Sequence, residues 1–226
     1  MQLLIDDANI VEIKKLAAFM PIDGVTTNPS ILAKNGKAPF SVLREIRDFL
    51  GEKAMLHVQA VAADAEGIVE DAHRIQRELG ENTYIKIPVV DEGLKAIKML
   101  KKEGANITAT AIYTQMQAFL AGKAGADYAA PYVNRIDNLG ADGIRTAKAI
   151  HDIFKKNHLH TEVLAASFKN SQQVLALCEY GVGAATVGPS VLRGLLKNDS
   201  VAAAVKAFTD DFENLCGSGA TMANCK

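Results

Sequence analysis

Lys86 is the residue best placed by type and position to do chemistry. It lies in the middle of the apolar, strand-like run TYIKIPV (83–89). Because side chains alternate along a strand, the flanking isoleucines share one face and Lys86 shares the other with Tyr84 and Pro88. A lysine is almost never fully buried without a partner. An inward lysine is therefore either half of a structural ion pair or an amine that forms an imine with a carbonyl substrate.

Polar side chains fall on the same alternating positions in the other strand-like runs. They are Asp6, Thr26, Asn28, Gln59, Thr108, Thr110 and Tyr132. Several lie near the carboxyl ends of their runs, where barrel enzymes build their active sites. Taken singly, Gln59 and Thr110 fit satisfied core groups equally well. Taken as a set, these residues predict one polar site around Lys86.

The types of these side chains indicate imine catalysis. Cleavage of the bond beside a ketose carbonyl leaves a carbanion, which a protonated imine absorbs as an enamine. The attacking amine must be neutral, and burial lowers the pKa of a lysine, whereas a nearby carboxylate raises it. Asp6 therefore opposes the effect of burial on Lys86. We interpret Asp6 as the group that handles protons while the carbinolamine forms.

Cationic side chains follow the sixth and seventh runs. The segment VNRID places Arg135 just beyond Tyr132, and the segment ASFKN adds Ser167 and Lys169. Two cations and a hydroxyl at neighbouring strand ends suit a phosphate group, and barrel enzymes often bind phosphate in this region. Each cation alone would be an ordinary surface residue. Their position beside the predicted site favours phosphate binding.

Eight strand-like runs position these residues, and each is followed by a stretch with helical periodicity. The runs are 3–8, 24–28, 55–61, 83–89, 106–112, 127–133, 161–167 and 183–188. Repeated strand–helix units predict parallel strands with right-handed crossovers, and eight units predict a closed (β/α)₈ TIM barrel. The alternative is a doubly wound open sheet. That fold normally carries a glycine-rich phosphate loop after its first strand, where this chain has DDANIVEIKKL.

The organisation of the chain predicts one domain over 1–216 and a flexible tail over 217–226. A further helix is expected at about 200–215, after the barrel. Its apolar residues Val201, Val205, Phe208 and Phe212 form one stripe. This helix either caps its own barrel or packs on a neighbouring subunit.

Composition excludes several classes of function. The 226 residues carry a net charge of −1, whereas surfaces that bind nucleic acid have an excess of Lys and Arg. No apolar stretch approaches the roughly 20 residues that cross a bilayer, and the N-terminus is not a secretory signal. Cys178, Cys216 and Cys225 are expected to be free thiols in the cytoplasm. His158 and His160 lie in a polar connection, and we predict neither a metal nor a cofactor.

At these residues the chain resembles the transaldolase family, and within it the bacterial fructose-6-phosphate aldolases and related small transaldolases. The matching segments are LIDDA around Asp6, DGVTTNPSIL (23–32), YIKIPV around Lys86, EGLKAIKMLKKEG (92–104), APYVNRID (130–137) and VLAASFK (163–169). The LIDDA segment, where relatives often have Asp-Thr, departs mildly from the pattern but leaves Asp6 in place.

The resemblance implies roles for the individual residues. Lys86 would be the Schiff-base lysine, and Asp6 with Asn28 would orient and protonate the carbinolamine. Thr26 and Ser167 would hold the substrate, and Arg135 would bind the acceptor phosphate. Tyr132 would be the acid/base group and would position the catalytic water together with Gln59 and Thr110. The resemblance also implies a homodecamer of two stacked pentamers, with the last helix crossing to a neighbour.

Three functions follow from this sequence. The first is a class I aldolase that reversibly cleaves fructose 6-phosphate to dihydroxyacetone and glyceraldehyde 3-phosphate. The second is a transaldolase that transfers the three-carbon unit between sugar phosphates, or from a related sulfo-sugar. Transaldolases proper usually have Glu where Gln59 stands and Phe where Tyr132 stands, so this pair favours the aldolase. The third, a non-catalytic protein that binds sugar phosphates, fits poorly because the lysine and its polar neighbours are all present.

Overall fold

Eight parallel strands close into a barrel in chain order in the computed structural model, which describes residues 1–225. The strands are β1 (Gln2–Asp6), β2 (Gly24–Thr26), β3 (Met55–Gln59), β4 (Tyr84–Pro88), β5 (Ile107–Ile112), β6 (Tyr128–Pro131), β7 (Glu162–Ala165) and β8 (Ala184–Val187). Each strand pairs with the next, and β8 pairs with β1. The predicted (β/α)₈ barrel is confirmed.

Helices separate all consecutive strands. They are α1 (Ile10–Ala17), α2 (Pro29–Asn35), α3 (Pro39–Leu50), α4 (Ala65–Leu79), α5 (Asp91–Lys102), α6 (Gln115–Lys123), α7 (Val133–Asn138), α8 (Gly143–Lys156), α9 (Ser171–Tyr180), α10 (Pro189–Leu196) and α11 (Asp199–Cys216). Two helices follow β2 and two follow β6. The helix predicted near 200–215 is α11.

The chain divides into two compact units. The first is Met1–Leu192, which holds the eight strands, and the second begins at Arg193 and contains α11. No side chain of α11 is buried. Residues 217–225 contain hydrogen-bonded turns, including one from Ala220 N to Gly217 O. The flexibility expected of the tail stays a prediction, and its last residue, Lys226, lies outside the described residues.

The alternation that predicts an inward Lys86 is visible in the packing of β4. Ile85 and Ile87 are fully buried in the main hydrophobic cluster, together with apolar side chains of α4 and α5. Burial of one such side chain stabilises the fold by roughly 1.5–3 kcal/mol. A Cβ atom on Gly93 would lie 2.0 Å from the carbonyl oxygen of Pro88. Only glycine therefore allows α5 to approach the strand that carries the lysine this closely.

Several strands are shorter than their predicted runs, because the polar residues at their ends belong to the following helix. Thr27 and Asn28 fall outside β2, where Asn28 caps α2. Tyr132 falls outside β6 and occupies the residue before α7. The strand β5 is irregular, since its register with β6 shifts between Ala109 and Ile112.

None of the helices within residues 1–225 is both long and apolar enough to cross a membrane. The three cysteines are free.

Candidate active site

A cavity of about 350 Å³ lies at the carboxyl ends of the barrel strands. All of the predicted site residues except two line it: Asp6, Thr26, Asn28, Gln59, Lys86, Thr110, Tyr132, Arg135 and Ser167. One exception is Thr108, which is fully buried with its hydroxyl 2.8 Å from His57 Nδ1. The other is Lys169, whose side chain is exposed and is not part of the cavity wall. The backbone nitrogen of Lys169 donates to Gln173 Oε1 at 2.7 Å, which fixes the chain just after Ser167.

Lys86 is the buried amine of this cavity, with 6% of its surface exposed. Its Nζ atom donates a hydrogen bond to the backbone carbonyl of Thr27 at 2.7 Å. Burial lowers the pKa of Lys86, and the negative charge of Asp6 opposes this shift. Burial is the larger effect, so the neutral, nucleophilic amine is more accessible than in a solvated lysine.

Asp6 lies at the end of β1 and is connected to two neighbouring strands. Thr26 Oγ1 donates to Asp6 Oδ1 at 2.8 Å and lies 2.6 Å from Thr186 Oγ1. Because the one hydroxyl hydrogen of Thr26 goes to the carboxylate, Thr186 donates to Thr26. Burial raises the pKa of Asp6, although the Lys86 charge and the Thr26 hydrogen bond both lower it. Burial thus favours a protonated acid beside a neutral amine.

Asn28 combines a structural function with a place in the cavity wall. Its Oδ1 atom accepts a hydrogen bond from Ile31 N at 3.0 Å and caps the first turn of α2. Pro29 follows at the first helical position, where its missing N–H is tolerated. Since the cap occupies Oδ1, the side chain has its amide N–H groups left to donate to a ligand in the cavity.

The opposite wall of the cavity carries a tyrosine–threonine pair. The hydroxyl groups of Tyr132 and Thr110 lie 3.0 Å apart, and the half-buried Gln59 lines the same cavity from β3. These groups can donate and accept hydrogen bonds, so they can hold a water molecule and move a proton. The arrangement provides an acid/base group in the same cavity as the amine.

Arg135 is the cation at the mouth of the cavity. Its guanidinium carbon lies 4.6 Å from the centre of the Tyr132 ring. Its interaction with the Tyr113 hydroxyl raises the pKa of Arg135, so the group stays charged. The side chain is solvent-exposed, and a guanidinium held beside two tyrosines can pair with an anion that enters the cavity.

Two non-glycine residues in the cavity wall have left-handed backbone conformations. They are Ala111, with φ 57°, at the irregularity in β5, and Ser167, with φ 60°, beyond β7. The backbone nitrogen of Asn134 donates to Ser167 O at 2.9 Å, which joins α7 to the end of β7. Such conformations cost about 1–3 kcal/mol each and are concentrated at functional sites. Here both residues line the cavity itself.

Sequence reasoning missed three polar residues of the wall, of which the first is Ser30 in α2. Thr186 lies in β8, and applying the alternation rule to GAATVG (183–188) would have placed it inward, where its hydroxyl lies 2.6 Å from that of Thr26. Tyr113 follows β5 and lines the cavity beside Arg135. Alternation could not have predicted Tyr113, because the irregularity at Ala111 breaks the period just before it.

Metal ligands are not grouped in the part of the chain that the structure describes. Residues 1–225 contain no cluster of three or more His, Cys, Asp or Glu side chains able to hold a metal ion. His158 lies in the connection before β7, with φ 53°.

Comparisons with known proteins show similarity over nearly the whole chain. The sequence model of the family described as Transaldolase/Fructose-6-phosphate aldolase matches residues 3–224. A curated protein of Streptococcus pneumoniae, named probable fructose-6-phosphate aldolase, is 42% identical over 213 residues, which cover 94% of this chain and 96% of that protein.

Solved structures are similar in fold. The one described as "Native KDPGal structure" has a TM-score of 0.60 at 16% identity and covers 83% of this chain and 82% of its own. A designed cube-shaped, highly porous protein cage, built by fusing symmetric oligomeric domains, has a TM-score of 0.61 at 15% identity. It covers 95% of this chain and 78% of its own.

Proposed function

Because the chain belongs to the transaldolase/fructose-6-phosphate aldolase family, we propose that it is a class I aldolase that reversibly cleaves fructose 6-phosphate to dihydroxyacetone and glyceraldehyde 3-phosphate. The observation that carries this proposal is the buried Lys86 amine, which lines one cavity together with the Tyr132–Thr110 pair.

Imine formation is the first step of the proposed mechanism. The neutral amine of Lys86 adds to the ketone carbon, and the carbonyl oxygen takes a proton from Asp6. Asn28 donates hydrogen bonds to the resulting carbinolamine. The carbinolamine nitrogen then gives one proton to the Asp6 carboxylate, which passes it to the carbinolamine hydroxyl. The hydroxyl leaves as water, and the nitrogen becomes a cationic imine. Thr26 and Ser167 hold the substrate hydroxyls during these steps.

Carbon–carbon cleavage follows from the imine. The hydroxyl on the carbon beyond the scissile bond passes its proton to the Tyr132 oxygen while Tyr132 gives its own hydrogen to the water beside it, and that carbon leaves as the aldehyde of glyceraldehyde 3-phosphate. The bonding pair moves toward the imine, which becomes a neutral enamine. Protonation of the enamine carbon restores the imine, and a water held by Gln59, Thr110 and Tyr132 releases dihydroxyacetone.

One assay tests this proposal. The purified protein is given fructose 6-phosphate with and without erythrose 4-phosphate, and free dihydroxyacetone is measured in both mixtures. We expect dihydroxyacetone to appear without the acceptor. Product only in the presence of erythrose 4-phosphate would assign the protein to transaldolase activity, and no conversion in either mixture would contradict both.

We further propose that Arg135 binds the substrate phosphate, with Ser167 and Lys169 assisting. Arg135 and Ser167 line the cavity, which supports direct contact with a ligand. The exposed charge of Lys169 supports an attraction of the phosphate over a longer distance, and dissolved salt weakens such an attraction.

Replacing Arg135 with alanine removes a charge-assisted contact worth roughly 1.5–3 kcal/mol. We expect kcat/KM for phosphorylated substrates to fall about 10- to 150-fold, with a much smaller loss for unphosphorylated glyceraldehyde as acceptor. The matched control is Arg145→Ala, which removes an arginine from the exposed side of α8. It should leave kcat/KM unchanged for both the phosphorylated and the unphosphorylated substrates. Equal losses of Arg135→Ala for both acceptors would assign Arg135 to folding or to the chemical step.

We propose that the protein is a homodecamer that needs α11. In this helix Val201, Val205 and Phe208 are 56%, 57% and 71% exposed, and Phe212 lies on the same stripe. We expect truncation after Asn198 to reduce the particle mass measured by light scattering. A monomeric full-length chain, or an assembly unchanged by truncation, would refute the proposal. We also propose a cytoplasmic location, which the three free cysteines support.

A further inference from the structure

The backbone carbonyl of Thr27 is the hydrogen-bond acceptor of the reactive nitrogen. It lies 2.7 Å from Lys86 Nζ. Thr27 is fully buried and follows β2, one residue before the cap of α2. The side chain of Thr27 is not part of the cavity wall, so its own contacts must serve something other than substrate.

Those contacts hold Thr27 onto β3. The backbone nitrogen of Thr27 donates to His57 O at 2.9 Å, and the hydroxyl of Thr27 donates to the same oxygen at 3.2 Å. Two donors from one residue on one acceptor fix the backbone nitrogen and the side chain of Thr27 against β3. They thereby fix the Cα atom from which the Thr27 carbonyl projects toward Lys86.

His57 is itself fixed inside the barrel. Its ring is fully buried, with Nδ1 2.8 Å from Thr108 Oγ1, and it stacks on Tyr84 with ring centres 4.5 Å apart. Thr108 is the partner of Lys86 in the register of β4 and β5. His57 therefore contacts both Thr27, whose carbonyl accepts the hydrogen bond of Lys86, and Tyr84 of β4, the strand that carries Lys86.

We propose that Thr27 is a positioning residue for the covalent intermediate: its carbonyl holds the nitrogen of Lys86 before and after the imine forms, and its hydroxyl keeps that carbonyl aimed. This inference rests on the proposed function. No substrate atom contacts Thr27 in this scheme, so it acts through Lys86.

The chemistry of the nitrogen explains why one acceptor matters. Addition of the neutral amine to the ketone, uptake of one proton and loss of one water give a cationic imine that keeps a single N–H. That nitrogen is planar, with the lysine chain, the substrate carbon and this hydrogen in one plane. Holding the hydrogen at the Thr27 carbonyl fixes the plane, and so fixes which face of the later enamine meets the aldehyde.

A neutral acceptor suits this task better than a carboxylate. A carboxylate in contact with the nitrogen would strongly favour the ammonium form, which cannot attack a ketone. A backbone carbonyl orients the nitrogen with a smaller preference for the charged form. Loss of its alignment should therefore disturb both the orientation of the nitrogen and the pH at which the amine becomes neutral.

Two variants of Thr27 test the proposal. Thr27→Val keeps the shape of the side chain and removes the hydroxyl, whereas Thr27→Ser keeps the hydroxyl. The first measurement is the single-turnover rate at which dihydroxyacetone forms the imine, followed across pH by borohydride trapping. The second is the diastereomer ratio of the product formed with glyceraldehyde 3-phosphate. If Thr27→Val does not fold, Thr27→Ala takes its place. It also lacks the hydroxyl, and we expect the same results from it.

We expect Thr27→Val to slow imine formation at least about tenfold at its best pH, because a small misplacement of a reacting group costs up to about 100-fold. The acid limb of its pH profile should move to lower pH, since the ammonium form loses an aligned acceptor. The diastereomer ratio should fall. With Thr27→Ser, the rate of imine formation, the acid limb of the pH profile and the diastereomer ratio should all lie within about threefold of the wild-type values.

The control is Thr161→Val, which also removes a buried threonine hydroxyl that donates to a backbone carbonyl, that of Ala126 at 2.7 Å. Thr161 precedes β7 and is not part of the cavity, so this variant should keep the wild-type rate, pH profile and product ratio. Wild-type behaviour of Thr27→Val, or equal defects in Thr27→Val and Thr27→Ser, would overturn the inference. A wild type that traps no imine at all would instead contradict the proposed function.

Discussion

Lys86→Met is expected to abolish cleavage of fructose 6-phosphate, with a loss of at least about 10⁴-fold in kcat, because binding and acid/base groups alone cannot replace a covalent step. Methionine has a similar length and fits an apolar position, so the fold should survive. Borohydride in the presence of dihydroxyacetone should inactivate the wild type and leave the variant without an adduct. Mass spectrometry of the reduced wild type should place the adduct on the peptide that contains Lys86.

The matched control is Lys98→Met, which removes an exposed lysine from α5 and should keep full activity. The pH dependence gives a second check. Because burial lowers the pKa of Lys86, imine formation should begin at a lower pH than it would with a solvated lysine. An adduct found only on another lysine, or an active Lys86→Met protein, would remove Lys86 from the mechanism.

Tyr132→Phe should lose release of dihydroxyacetone by at least about tenfold, the conservative end of the 10²–10⁴ range expected for a lost acid/base group. The enamine on Lys86 has two fates: protonation and hydrolysis, or capture by a second aldehyde. The Tyr132 hydroxyl, 3.0 Å from that of Thr110, can supply the proton and help hold the water, whereas phenylalanine cannot. Adding Gln59→Glu should move the remaining activity toward transfer to erythrose 4-phosphate.

Tyr128→Phe is the control for this change. Tyr128 lies in β6 four residues before Tyr132, and its hydroxyl donates to Gln2 Oε1 at 2.7 Å, at the opposite end of the barrel. This variant should keep the wild-type ratio of hydrolysis to transfer. Both products are measured on the same samples. If Tyr132→Phe leaves that ratio unchanged, the tyrosine only packs the cavity wall.

The sequence predicts those parts of the site that follow from the regular alternation of a strand. Lys86 has inward polar or aromatic neighbours and outward isoleucines, so a period of two identifies its face without any knowledge of the barrel. Gln59 and Thr26 follow in the same way from β3 and β2. Chain order also predicts closure, because eight strand–helix units without a glycine-rich phosphate loop after the first strand favour a barrel over a doubly wound open sheet.

The remaining features depend on backbone irregularities that residue types do not reveal. Ala111 has a left-handed conformation at the shift in β5, and nothing in an alanine predicts this. Tyr113 and Ala111 enter the cavity wall as a result. The sequence predicts Lys169 at the phosphate site because it lies close to Ser167 along the chain, but its side chain lies outside the cavity wall. The contacts of Thr27 with His57 and Lys86 join three strands, which no local pattern contains.

Closure of the barrel through β1 and β8 has a consequence for the protein during its synthesis. Thr26 connects Asp6 to Thr186, so the acid beside the lysine is complete only when residues near both ends of the barrel have met. The ribosome adds roughly 100 residues between β4 and β8, which takes about 5–20 s. During that interval the nascent chain carries Lys86 without the closed barrel that buries its amine and lowers the pKa of that amine. We therefore expect the growing polypeptide to condense with sugars and aldehydes more slowly than the finished barrel.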